Sequence, residues 1–233
     1  MIKDNLEILE QRIASKCKEI GRNKDEIKLI AVSKYNPLKA ISETFEAGYK
    51  NLGENKAQEF SEKAQLVKED VIWHFIGHLQ TNKVKLVVPY AEFIHSVETE
   101  KLAKEINKRA TAIEKVQNIF LEINASGEES KFGLQSEEEI FSLAKFCDEL
   151  PNVNLCGLMT MAPYTENETV IRNCFRKLKE IKDSLNEKGS VITELSMGMT
   201  NDLEIAIEEG ATMLRIGTAI FGERDYSKTW KDE

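Results

Sequence analysis

The sequence predicts a single-domain (β/α)8 barrel, an α/β fold in which a ring of eight parallel strands is wrapped by helices. Three observations predict it. Eight short apolar runs alternate with helix-period segments along the 233 residues. Strict alternation requires parallel neighbours, because each strand returns through a crossover helix. The first strand then runs into SKYNPLKA rather than a G-x-G-x-x-G turn, which argues against an open doubly wound sheet.

The elements follow in order. A helix over 3–20 comes first, and its Leu6, Leu9, Ile13 and Ile20 mark one buried face. The first strand, 28–34, carries KLIAVSK, and Asn36-Pro37 opens the helix over 37–48, closed by Gly48. A strand over 49–55 leads to a helix over 55–69, and one over 71–77 (VIWHFIG) to a helix over 79–87. Strands over 93–98 and 117–124 flank a helix over 99–113, and a helix over 136–149 precedes the strand over 154–162. The helix over 166–188 leads to a strand over 191–198. Asn201 and Glu204 have capping-box spacing at the start of a helix over 201–210, which Gly210 closes. The last strand is expected over 213–221. With no linker or low-complexity tract, residues 1–233 are expected to form one domain.

Composition narrows the function. A net charge of −8 without a basic cluster disfavours nucleic acid as a partner. The charged, periodic N-terminus is unlike a signal peptide, and no apolar run is long enough to span a bilayer. Four scattered cysteines without C-x-x-C pairing fit a reducing cytoplasm better than a disulfide scaffold or a zinc site.

Barrel sites sit at the C-terminal ends of strands. Those ends supply Lys34, Asn55, Gly77 and His78, Ser96, Asn124, Met161, Ser196 and the stretch Arg215–Thr218. Lys34 alone reads as a solvated lysine snorkelling from a strand end; under roofing loops it becomes a nucleophile able to make a Schiff base. The segments ELSMGMTNDLE and MLRIGTAIFG lie on strands seven and eight, where barrels often bind phosphate. Ser196, Thr200 and Thr218 offer hydroxyls there, and Gly198 and Gly217 permit close backbone approach. Ordinary turn and cap chemistry would use the same residues. Arg215 is a lone cation in an apolar run and, facing inward, needs an acceptor. His74 and His78 lie roughly 13 Å apart along a strand, too far to share a metal, and His95 stands alone. All three histidines are expected to pack or hydrogen-bond, no metal is expected, and the loop GEESKFG (127–133) reads as a solvated turn, with a lid as the alternative.

The segments AVSKYNP, GENKAQE, WHFIGHLQTNKVK and SMGMTNDLEIAIEEGATMLRIGTAIFGERDY, supported by GLMTMAP, resemble the pyridoxal phosphate homeostasis proteins over essentially the whole chain. That family is similar in fold to the barrel domain of alanine racemase. The resemblance implies pyridoxal 5′-phosphate (PLP) as cofactor, held as a Schiff base on Lys34. It implies that Ser196, Gly217 and Thr218 hold the phosphate, with Thr200 and Met197 beside it and Asn55 lining the pocket near the ring. It places Arg215 opposite the pyridine nitrogen. Thr200 stands where many members carry serine, which keeps the hydroxyl.

An arginine there leaves the pyridine nitrogen neutral and weakens carbanion stabilisation, so the expectation is a cytoplasmic carrier without catalytic residues. It would buffer PLP or supply it to apo PLP-dependent enzymes. The chain ends soon after its eighth strand, without the second domain that brings alanine racemase its opposing tyrosine and dimer interface. A monomer is therefore expected. The alternatives are a PLP-dependent enzyme such as an amino-acid racemase, or a cofactor-free Schiff-base lyase.

Overall fold

In the computed structural model, which describes residues 1–128, 132–223 and 229–231, eight parallel strands close into a barrel in sequence order. The chain runs α1 (Ile2–Glu19), β1 (Lys28–Val32), α2 (Leu38–Glu46), β2 (Asn51–Glu54), α3 (Ala57–Leu66) and β3 (Ile72–Phe75). A 3-10 turn (Thr81–Lys83) enters α4 (Val84–Val87), followed by β4 (Phe93–Val97), α5 (Glu100–Thr111), β5 (Gln117–Glu122) and α6 (Glu137–Asp148). The chain continues through β6 (Val153–Met159), α7 (Glu168–Glu187), β7 (Glu194–Ser196), α8 (Leu203–Glu208), β8 (Met213–Ile216) and α9 (Thr218–Phe221). Residues 129–131 of the GEESKFG loop lie outside the described residues.

The two-residue period of the strands divides the core. Leu29 and Ala31 of β1 join the large apolar layer beneath the helices, while Ile30 points inward to Phe120, Met159 and Met213. The inner space is tight, for a Cβ on Gly157 would lie 2.3 Å from the Phe120 ring and 2.6 Å from the Glu194 carbonyl. Pairing of Lys28–Ala31 with Met213–Ile216 closes the ring.

Helix α1 spans that seam from outside. Asn5 donates to the Ile220 carbonyl at 2.8 Å, Arg12 pairs with Glu204 and reaches the Thr200 carbonyl at 3.3 Å, and Lys16 pairs with Glu208. Its buried face is Leu6, Leu9, Ile13 and Cys17; Ile20 falls at the helix end and is exposed.

Three details differ from the sequence expectation. Residues 218–221 form α9 rather than the end of β8, because the chain turns at Gly217. The cap of α8 is Asp202, not Asn201: the Asp202 carboxylate accepts the Met199 N–H at 2.5 Å, and Glu204 faces Arg12. The capping box lies on α6 instead, between Ser136 and Glu139.

Candidate functional site

The C-terminal ends of the strands open into a cavity of about 500 Å³. Lys34, Asn55, Thr200, Arg215, Gly217 and Thr218 all line it. Strand β1 ends at Val32, so Lys34 sits two residues into the loop above it, half-buried. Asn55 follows β2, and its buried Oδ1 has no hydrogen-bond partner among the described residues. Gly77 completes this wall; a Cβ there would lie 2.2 Å from the Asn55 carbonyl, so only glycine lets the two strand ends approach. On the adjoining β7–β8 side, the Thr200 hydroxyl accepts the Ala219 N–H at 3.4 Å, which ties the loop after β7 to the start of α9.

Two of the residues expected at the site lie below it. Ser196 and Met197 are fully buried and neither lines the cavity. Ser196 ends β7 pointing inward, and Met197 packs in the apolar layer with its N–H on the Met213 carbonyl. Gly198 is required by packing rather than ligand approach: its φ is +96°, and a Cβ would meet Ala206 at 2.6 Å.

Arg215 does face inward, and its acceptors are protein atoms. It donates to Ser196 Oγ at 2.7 Å and to the Thr160 carbonyl at 2.8 Å. Burial lowers its pKa to about 10, opposed by Asp202 and Glu122, so it stays cationic at neutral pH.

His95 is not alone. Its Nδ1 lies 2.9 Å from Ser196 Oγ and its Nε2 lies 3.0 Å from His74 Nδ1, while His74 Nε2 lies 3.1 Å from Asn51 Oδ1. Burial drives the His74 pKa down to about 3 and that of His95 well below its ordinary value, so both rings are neutral. With Asn51 Oδ1 as terminal acceptor, the inventory of hydrogens closes in one direction. Arg215 donates to Ser196, Ser196 to His95, His95 to His74 and His74 to Asn51. The ring of His95 also stacks on Phe120 at 4.2 Å. A chain of satisfied hydrogen bonds thus runs through the barrel and fixes the guanidinium from below.

Glu122 is the cavity residue that sequence reasoning missed. It ends β5, is 4% exposed, lines the cavity, and its Oε2 has no partner among the described residues. Burial first, then the Glu98 charge, raise its pKa to about 7 against the pull of Arg215. His78 and Phe132 stack at 4.1 Å at the rim, with His78 Nδ1 3.3 Å from Glu98. Among the described residues no group of acidic, His or Cys side chains has the arrangement to hold a metal ion.

Residues 5–225 match the family model for the alanine racemase N-terminal domain. The pyridoxal phosphate homeostasis protein of Aquifex aeolicus is 46% identical over 218 residues, covering 93% of this chain and 95% of that one. The chain belongs to the pyridoxal phosphate homeostasis protein family. A solved relative of this family's barrel, PipY of Synechococcus elongatus with PLP bound, superposes with a TM-score of 0.83 at 29% identity, covering 95% of this chain and 100% of that one. Alanine racemase of Clostridium difficile shares the barrel alone, with a TM-score of 0.75 at 17% identity over 96% of this chain and 59% of that one.

Proposed function

We propose that this protein binds PLP in the barrel-mouth cavity, holds it covalently on Lys34, and buffers or supplies it for PLP-dependent enzymes. The observation that carries this reading is the arrangement of one cavity: an amine, Lys34, on the β1 wall, and Thr200, Gly217 and Thr218 gathered at the ends of β7 and β8. Lys34 would hold the cofactor through its amine, the aldehyde C=O giving way to one C=N bond with loss of one water. Thr200, Gly217 and Thr218 offer hydroxyls and backbone N–H groups to the phosphate. The unpartnered Asn55 Oδ1 and Glu122 Oε2 leave polar atoms for the ring substituents, so the residues present fit the cofactor. Arg215, cationic and pinned by Ser196, presents only donors to the cavity.

Its permanent charge favours holding over turnover, because a group that cannot take part in proton exchange does not keep the pyridine nitrogen protonated. The relatives' naming as homeostasis proteins supports the same reading. No helix among the described residues is long and apolar enough to cross a membrane, and no disulfide joins the four cysteines. Action as a monomer in the cytoplasm is part of the same proposal. The racemase reading has one observation in its favour: Glu122 at the end of β5 and Lys34 after β1, four strands away around the ring, line one cavity, and racemisation needs two acid/base groups.

The test is direct. Purified protein with added PLP, treated with borohydride, yields a pyridoxyl adduct on Lys34 by peptide mass spectrometry, and Lys34→Ala yields none. Absence of the adduct in the wild-type protein would overturn the reading. Rapid, Lys34-dependent inversion of an amino acid by chiral analysis would establish the racemase instead.

A further inference from the structure

We propose that Lys63, Glu54 and Glu59 are positioning residues: a buried ionic clamp that holds the backbone on both sides of Lys34 and thereby aims its amine into the cavity. This rests on the reading of Lys34 as the attachment point. Lys63 lies on α3, is 0% exposed, and uses three hydrogen bonds, each of 2.8 Å. They run to the Ser33 carbonyl, to Glu54 Oε1 and to Glu59 Oε1. An ammonium has three protons, so it is saturated.

The two carboxylates extend its grip. Glu59 Oε1 also accepts the backbone N–H of Tyr35 at 2.5 Å, and the Ser33 hydroxyl donates to Glu54 Oε1 at 2.8 Å. The residue before Lys34 and the residue after it therefore hang on one charged cluster. Tyr35 has φ +66°, a left-handed backbone that a non-glycine residue keeps only where its surroundings impose it. The Trp230 ring lies 5.7 Å from Lys63 Nζ.

None of the three clamp residues lines the cavity. Stability alone is a poor reason for them, because apolar residues of similar volume often do as well as a buried ion group. Apolar residues cannot hold a carbonyl and an N–H flanking one lysine. Burial pushes the Glu54 carboxyl up to about 7, so the cluster is a lysine held by two carboxyls, one of them titrating near neutral pH. The geometry accounts for these buried polar groups through the direction it gives to a fourth side chain.

The experiment measures the rate at which borohydride-fixed pyridoxyl accumulates on Lys34 after timed exposure to PLP, together with amide hydrogen exchange over residues 33–36 without ligand. In Glu59→Leu the Tyr35 N–H loses its acceptor while Lys63 keeps Glu54. Labelling is expected to slow roughly 10- to 100-fold, the scale on which a misplaced reacting group costs rate. Exchange at Tyr35 accelerates, while binding of inorganic phosphate at the Thr200 wall changes less than about twofold. Glu59→Gln, which keeps an acceptor oxygen, restores most of the rate. Lys63→Met, if folded, behaves like Glu59→Leu.

Wild-type labelling rates in either folded variant would overturn the clamp and leave the attachment site standing. Failure of both to fold would also overturn it, for the cluster would then serve stability. A wild-type protein that takes no label on Lys34 defeats the attachment reading itself.

Discussion

Glu122→Gln changes the response of the ligand-free protein to acid, and the size of the change follows from the position of Glu122. In the fold its carboxyl titrates near pH 7, because burial and Glu98 oppose its charge; its ordinary value is 4.5. A carboxyl raised by folding binds protons more readily in the native than in the unfolded chain, so this group adds stability as pH falls from above 7 toward 4.5. Between pH 7 and pH 5 the linkage relation gives a gain of about 2 kcal/mol from Glu122 alone. Glutamine has the same shape and does not titrate, so the variant lacks that gain. Urea unfolding followed by circular dichroism at both pH values reads the difference. The wild-type midpoint should move relative to that of the variant by about 0.7–1 M, for a slope of about 2–3 kcal/mol per molar urea. Parallel shifts in the two proteins would show that Glu122 is solvated or shares its proton, and would refute the cavity electrostatics described for it.

Three further outcomes are expected. Gly77→Ala places a Cβ against the Asn55 carbonyl, separates the ends of β2 and β3, and lowers PLP affinity at least about tenfold by titration, a loss of about 1.4 kcal/mol. Thr200→Val removes a hydroxyl from the β7–β8 side of the cavity and weakens both PLP and inorganic phosphate by about fivefold to tenfold, near the value of one hydrogen bond, measured by calorimetry. Ser136→Ala breaks the α6 capping box and costs about 1 kcal/mol by urea unfolding, with PLP binding unchanged because α6 is remote from the cavity.

The fold was legible because burial on a barrel leaves a strong imprint: strands covered by helices read as short apolar runs, and all eight were visible. The end of β8 was misread because TAIF is apolar enough to prolong a strand, while the turn at Gly217 depends on tertiary packing. The cavity residues were legible where strand ends carry unexpected polar groups, as with Lys34, Asn55, Thr200 and Arg215. Ser196 lies below the cavity because its hydroxyl is held by His95 and Arg215 from other strands, contacts that the pattern along β7 does not carry. His95 seemed alone because spacing along one strand says nothing about neighbours across strands. The pairing of His74 with Phe93 brings His95 beside it. Glu122 was passed over because an acid at a strand end ordinarily reads as solvated; only closure of the ring buries it.

The meeting of β1 with β8 has a consequence for how the protein is made. Lys34 is synthesised well before Arg215, so no ligand can find both until β8 docks beside β1. That long-range closure is the kind of contact that forms slowly. Any molecule that bridges the two walls acts as a clasp on the seam, favouring the closed ring by mass action, and α1 fastens the same seam from outside through Arg12 and Asn5. Supply of the ligand during synthesis would therefore raise the yield of closed barrels as well as fill them.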